Sequence, residues 1–175
     1  MKTLVKEKIL RGLTDPSPKI RVAVAYVIAK IAHIDWPETW SVLFDELMGL
    51  LKSGNQDYVH GATRVLAEFI RDDITDQQFP HIAPVLIPEL YQLFTRTSFS
   101  PSIRARCLVI FRDFAEILFM IKEEHPEAIV NYLEPMLPSW MSAFKSVLGN
   151  PHVPPEEVSL RHEVLRVSFY QKNSL

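Results

Sequence analysis

Apolar residues recur along this chain at intervals of three and four, and stretches that alternate apolar and polar residue by residue are almost absent. The first pattern turns one face of a helix toward a core, whereas the second would mark a half-buried strand. The periodicity predicts helices over 2–13, 18–33, 37–52, 56–72, 81–96, 102–122, 127–148 and 156–171. Proline punctuates them. Pro16, Pro18, Pro37, Pro80, Pro101, Pro126 and the cluster from Pro151 to Pro155 stand where first helical turns would open, a place where a missing N–H loses no bond. Pro84, Pro88, Pro135 and Pro138 fall inside apolar patterns and are expected to start or kink helices there. In the second helix Ile20, Val24, Val27, Ile28 and Ile31 make one apolar face, and Val22, Ala25, Ala29 and Ala32 carry it well past a single stripe. A helix that apolar is expected to be buried on more than one side.

The same residue order returns along the chain. Leu43-Phe44-Asp45-Glu46-Leu47-Met48-Gly49-Leu50-Leu51 aligns with Leu86-Ile87-Pro88-Glu89-Leu90-Tyr91-Gln92-Leu93-Phe94, 43 residues on, and with Met136 to Phe144, 50 further. The alternate helices open on Ile20-Arg21, Val59-His60, Ile103-Arg104 and Leu160-Arg161, at spacings of 39, 44 and 57. Two helices per repeat at about 40–47 residues is the HEAT or armadillo range, and about 33–34 would have meant ankyrin or tetratricopeptide repeats. The expected architecture is all-α, a right-handed α-α superhelix of about four helix pairs over 1–33, 37–72, 81–122 and 127–171. These form one solenoid segment, 1–175, of a longer arch. Neither end offers a polar capping face, so the piece alone is expected to be marginal or self-associating. Arg21 and Arg104, each at the start of a second helix, are expected to tie one repeat to the next rather than to hold a ligand.

Charge and composition remove whole classes of function. Lys+Arg 19 against Asp+Glu 21 gives a net charge of −2 and a pI near 6.3, so no clustered basic face for a phosphate backbone is expected, and no direct nucleic-acid binding. The longest apolar run, Val22 to Ala29, is far shorter than the roughly 20 residues of a spanning helix, so no membrane contact is expected. The opening Met1 to Lys8 lacks the features of a signal or transit peptide, which points to cytosol or nucleus. Cys107 is the one cysteine, in the apolar run Arg106 to Ile110, and is expected to be an inert core residue.

Catalytic templates find no match. The histidines His33, His60, His81, His125, His152 and His162 never fall four apart, and His162-Glu163-Val164-Leu165-Arg166 lacks the second histidine of a zinc protease helix. The five glycines are isolated, so no phosphate loop forms. Neighbouring acids such as Glu123-Glu124 and Glu156-Glu157 do not face each other on a helix. Ser17-Pro18 could accept a proline-directed phosphate, but it reads first as a helix start. No catalytic residue, metal or cofactor is therefore expected, and the chain reads as a protein-binding surface rather than an enzyme. Trp36, Trp40, Tyr91, Phe94, Trp140 and Phe144 recur on first helices, mostly as core, with one or two bordering a surface groove.

One stretch is more specific than a generic solenoid. Leu10-Arg11-Gly12-Leu13-Thr14-Asp15-Pro16-Ser17-Pro18-Lys19-Ile20-Arg21-Val22-Ala23-Val24-Ala25-Tyr26 resembles the importin family. The stretch from Ile31 to Trp40, with Asp35-Trp36-Pro37-Glu38-Thr39-Trp40, resembles the helix–loop–helix of karyopherin-β receptors. Val59-His60-Gly61-Ala62-Thr63-Arg64-Val65-Leu66-Ala67-Glu68-Phe69 is similar to the importin-nine branch of that family. The likeness runs from Leu4 to Arg166, is strongest before Arg71 and weakens beyond Ser98. It implies a nuclear import receptor segment that shuttles between cytoplasm and nucleus. Its partners would be basic protein cargo such as histones and ribosomal proteins, GTP-bound Ran, and the Phe-Gly repeats of nucleoporins. It also implies a concave face lined by second helices, where Arg64, Glu68, Arg71, Asp72, Arg112, Asp113 and Glu116 could meet a partner. Trp40, Leu47, Tyr91 and Phe94 would border a Phe-Gly slot between first helices. A HEAT scaffold without transport activity, such as a regulatory subunit, is the alternative, and the Asp-Trp-Pro-Glu-Thr-Trp stretch favours the importin. A helical-repeat enzyme acting on nucleic acid would need a basic groove that the net charge speaks against.

Overall fold

The computed structural model describes residues 2–71, 74–75, 78–152 and 154–174, with side chains from residue 5 to residue 168 within those stretches. Among the described residues all regular structure is helical. The fold consists of HEAT-type helix pairs, distributed over two compact units, Met1–Ile82 and Ala83–Leu175.

The first unit holds α1 (Lys2–Arg11), a 3₁₀ turn (Gly12–Thr14), α2 (Pro18–Asp35), α3 (Leu43–Lys52) and α4 (Gln56–Arg71). The second helices of the two pairs, α2 and α4, pack on each other, and α3 packs on α4. Ala25, Ala29 and Ala32 on α2 are small enough to let α4 come close, and Ile28 fills the space between them. From α4, Val59, Ala62, Val65, Leu66, Phe69 and Ile70 are buried. Each fully buried aliphatic side chain of this kind contributes about 1.5–3 kcal/mol relative to exposure. α2 opens as its sequence suggests, with Pro18 in the first turn and Asp15 Oδ1 accepting the Ser17 N–H at 2.7 Å. The turn into α4 places Gly54 at φ +73°, a left-handed conformation that costs glycine little. Asn55 Oδ1 then caps α4 by accepting the N–H groups of Asp57 and Tyr58 at 2.9 and 3.3 Å.

Two expectations fail here for physical reasons. The helix expected from residue 37 begins at Leu43, because Trp36 and Trp40 enter the core from turns rather than from a helix face. The Trp36–Pro37 peptide is cis. Lys6 of α1, itself buried, holds this stretch: its ammonium lies 2.7 Å from Asp35 Oδ2, donates to Thr39 O at 2.9 Å, and stands 5.4 Å from the Trp40 ring centre. The second departure concerns α2, which is not covered on every apolar side. Ile20, Val22, Tyr26, Val27 and Ile34 stay exposed, Ile34 at 80%, and an open groove of about 500 Å³ runs along Tyr26, Val27, Lys30, Ile31, Ile34 and Asp35.

As expected from its periodicity, α5 (Phe79–Thr95) is one helix, with Pro84 and Pro88 inside it. Pro80 stands in the first turn, where no bond is lost, and Pro84 and Pro88 are four apart, so their two lost bonds fall on one helix side, which is exposed at Pro84. Its N-terminus is closed by a reciprocal pair: the Thr75 N–H donates to Gln78 Oε1 at 3.1 Å, and the Gln78 N–H to Thr75 Oγ1 at 3.3 Å. Gln78 also donates from Nε2 to Trp36 O at 2.7 Å.

The second unit contains most of α5, then α6 (Pro101–Met120), α7 (Pro126–Ala128) running into a π-helical turn (Ile129–Leu133), α8 (Leu137–Gly149), a 3₁₀ turn (Pro155–Glu157) and α9 (Val158–Ser174). The single helix expected over 127–148 is thus split. Pro135 and Pro138 remove two N–H donors within one turn, and the helix resumes with Pro138 in its first turn. The core is aromatic. Trp140 is fully buried, stacked on Phe111 at 4.1 Å and 13° and on Phe94 at 5.3 Å and 20°, with Tyr91 edge-on at 5.4 Å.

The arginines at the starts of second helices do the same local work. Arg21 donates from Nη1 to Asp15 O and Pro16 O at 2.6 and 3.0 Å and pairs through Nη2 with Asp57 of α4 at 2.7 Å. Arg104 donates to Phe94 O at 2.8 Å and pairs with Glu157 at 3.2 Å. Arg161 donates to Leu148 O at 2.9 Å. Arg21 grips carbonyls of the turn before its own helix, Arg104 and Arg161 grip carbonyls in the last turns of α5 and α8, and the first two also reach an acid at the start of the next second helix. Arg104→Ala is expected to cost about 2 kcal/mol, because it strands a buried carbonyl and a half-buried carboxylate. A denaturant midpoint equal to that of the unaltered chain would remove the tie.

Candidate protein-docking surface

α4 buries most of its circumference; Gln56, Asp57 and Tyr58 are open in its first turn, and beyond it the open positions are His60, Arg64, Ala67, Glu68 and Arg71, of which Asp57, His60, Arg64, Glu68 and Arg71 recur at helical spacing. Of the residues expected to meet a partner, Arg64, Glu68 and Arg71 lie on this stripe, and Asp72 lies outside the described residues. Glu68 pairs with Arg71 one turn on, leaving the Arg71 side chain 61% exposed. At the other end Asp57 holds Arg21, whose Nε lies 3.4 Å from His60 Nδ1. Between them Arg64 is half-buried, and its Nε is fully enclosed without an acceptor among the described residues.

In the second unit Arg112, Asp113 and Glu116 lie half-buried on α6, beside α9. Arg112 donates to Asp113 Oδ1 from Nη2 at 2.7 Å and from Nε at 3.1 Å, and lies 3.6 Å from both Glu116 and Glu163. Burial alone would weaken its charge, but the hydrogen bond and charge of Asp113, then Glu116 and Glu163, outweigh it and raise its pKa above the ordinary arginine value. Glu163 is shared with Arg166 at 3.2 Å, so three carboxylates face two guanidiniums and the cluster leans acidic. Glu163 and Arg166 escaped the sequence reading of partner residues. Their signal was the pattern of α9, where Leu160, Val164 and Val167 turn inward and leave Glu163 beside Arg112 of α6 and Arg166 exposed one turn on.

The residues expected to border a Phe-Gly slot are placed differently. Trp40, Leu47 and Phe94 are core residues, 4%, 2% and 1% exposed, and of the four only Tyr91 is half-buried. Leu47 lines a small internal void with Trp36, Phe44, Val65 and Phe69, while Tyr91 and Phe94 pack on Trp140. Within each unit, the burial of Trp40, Leu47 and Phe94 gives their periodicity a core role.

Among the described residues no group of three potential metal ligands converges, and no helix is long and apolar enough to cross a membrane. Cys107 is fully buried, and burial pushes its thiol up to about 12. At pH 8 only about one thiolate in ten thousand is present, so the native chain should resist a disulfide reagent that modifies it at once in denaturant. Rapid native modification would show that α6 opens readily. What the two stripes can do is hold another protein through charge-assisted hydrogen bonds on rigid helices.

No protein-family model matches the chain. Over 176 residues it is 30% identical to Importin-9 of Drosophila melanogaster, an overlap of 99% of this chain and 17% of that protein. It is 34% identical over 125 residues to Importin subunit beta-5 of Schizosaccharomyces pombe, covering 70% of this chain and 13% of the relative. With Transportin-1 of Homo sapiens the identity is 28% over 117 residues, 63% of this chain and 12% of the relative. The chain therefore spans less than a fifth of the length of these curated relatives.

Proposed function

The chain belongs to the importin-β, or karyopherin-β, family, and from that premise we propose that it is a segment of a nuclear import receptor that binds protein cargo and GTP-bound Ran. The family is one of transport receptors, so the chain is not an enzyme. The observation that carries the proposal is the similarity to Importin-9 along 99% of the chain, which includes both open stripes. The acidic cluster of Arg112, Asp113, Glu116 and Glu163 suits a basic cargo, since its carboxylates outnumber its cations and rigid helices present them. Contact with nucleoporin Phe-Gly repeats and shuttling between cytoplasm and nucleus belong to the same reading.

The test is a pull-down of this chain on immobilised Ran loaded with GTP, against Ran loaded with GDP. Preference for the GTP form supports the receptor reading. Equal or absent binding to both would leave a HEAT scaffold without transport activity. Replacing Arg64, Arg71 and Arg112 together with Ala tests the stripes: unchanged affinity for Ran and cargo would remove them as docking faces.

A further inference from the structure

The helix α2 buries Arg21, Ala25, Ile28, Ala29 and Ala32, the side that meets α4, and Val24 leans on the turn at Gly12. Its other side is apolar too. Ile20, Ala23, Val27 and Ile34 are exposed there, with Ile31 half-buried among them. Ile20, Val27 and Ile34 stand seven apart, the interval that keeps side chains on one seam of a helix. Along the seam run two rows spaced by four, Tyr26-Lys30-Ile34 and Val27-Ile31-Asp35, and these six residues line the open groove of about 500 Å³. Lys30 leans away from it, with its ammonium over the Tyr26 ring at 5.4 Å. A groove between two such rows is the surface into which the side chains of a second helix pack. The seam lies wholly within the first unit and exposes roughly a few hundred Å² of contiguous apolar surface, the size at which a patch marks an interaction site.

We propose that this side of α2 pairs with the same side of a second copy of the chain, antiparallel, across a two-fold axis at Val27. About that residue the seam is complementary to itself. Ile20 meets Ile34 of the partner subunit, and Ala23, the smallest side chain of the seam, meets the bulkier Ile31 of the partner subunit. Charge agrees: Lys19, exposed at one end, comes opposite Asp35 at the other, whose side chain stays 23% exposed beside Lys6. Parallel pairing would set like charges against each other at both ends. A two-fold interface requires this reciprocity, in which one residue meets a second and the second meets the first. The match is between the seam and itself, and for that reason the occupant is a second copy rather than an unrelated helix. Two such seams bury about 1,000 Å², the low end for a specific interface, so the pair forms reversibly in the micromolar range. The inference uses neither Ran nor cargo and is independent of the receptor reading.

Sedimentation velocity of the full chain reads the pairing. Between about 5 and 500 μM the mean mass should rise from 20.2 kDa toward twice that value. Ile34 is 80% exposed, so Ile34→Lys leaves the core intact, and it should weaken association at least about tenfold by placing a charge in the seam. Lys19→Glu should weaken it about threefold at low salt and less at high salt. A short bis-maleimide reads the orientation, and the fully buried Cys107 does not compete for it. Val27→Cys should cross-link to itself, whereas Ile20→Cys and Ile34→Cys should each cross-link poorly alone and well when mixed. Val42→Cys, exposed but off the seam, should stay monomeric. A mass that remains 20.2 kDa throughout would overturn the proposal and leave the face to a helix of another protein. Association that survives Ile34→Lys would overturn it as well, as would Ile20→Cys cross-linking as well alone as mixed.

Discussion

Gly61→Ala is expected to destabilise the first unit by about 2–3 kcal/mol, although alanine is the better helix former by about 1 kcal/mol. Gly61 lies inside α4, and a Cβ built there would stand 2.3 Å from the carbonyl oxygen of Leu13 and 3.1 Å from its carbonyl carbon. The opposing atom is backbone in the 3₁₀ turn Gly12–Thr14, and the Leu13 side chain is fully buried, so neither side can swing away. Steric overlap with a fixed carbonyl therefore outweighs the gain in helix propensity. Gly49→Ala makes the same chemical change on the exposed side of α3, where a Cβ meets nothing within 4 Å. It should stabilise by about 0.5–1 kcal/mol. Urea titrations followed by Trp36 and Trp40 emission, in a Trp140→Phe background, report the first unit for both variants. If Gly61→Ala unfolds at the urea concentration of its parent, α4 is not seated on that turn.

How much of this was legible depends on what the signal is made of. The helices α2, α4, α5, α6 and α9 could be read within a few residues, because a core-facing stripe leaves its 3.6-residue period in the sequence whatever it packs against. The stretch 36–42 misled because Trp36 and Trp40 stand four apart, as they would on a helix, while the stretch is held through Asp35, Thr39 and Trp40 by Lys6 of α1, about thirty residues before it. No local pattern contains that contact. The split at Pro135 and Pro138 was legible as a break, but the π-helical turn before it was not. The open side of α2 was hidden for a related reason: apolar periodicity reports what a helix could bury, not what lies beside it.

The candidate surface divides in the same way. The resemblance placed Arg64, Glu68, Arg71, Arg112, Asp113 and Glu116 on the partner-facing side of second helices, yet partnership is set by tertiary neighbours. The link from Arg112 to Glu163 crosses from α6 to α9, and the isolation of Arg64 depends on Glu68 turning to Arg71. Trp40, Leu47 and Phe94 show the converse, since an aromatic or aliphatic residue on a first helix has the same spacing in a core as at a slot.

The second large effect concerns Trp140, where the alternatives are separated by substitution rather than by position. Trp140→Ala is expected to cost about 3–5 kcal/mol, the range for emptying a large aromatic site in a packed core. α5, α6 and α8 all send rings to it, and none can fill the space without leaving its own helix. Trp140→Phe should cost only about 1–2 kcal/mol. A phenyl ring retains stacking on Phe111 and Phe94, and the lost Nε1–H has no acceptor among the described residues, so no hydrogen bond goes with it. Guanidinium denaturation followed by far-ultraviolet circular dichroism gives both values. Equal losses for Ala and Phe would mean that the full indole outline, which a phenyl ring does not fill, holds the three helices together. A small loss for Ala would mean that Phe94 and Phe111 can close on each other, and that the second unit is packed more loosely than a stacking distance of 4.1 Å implies.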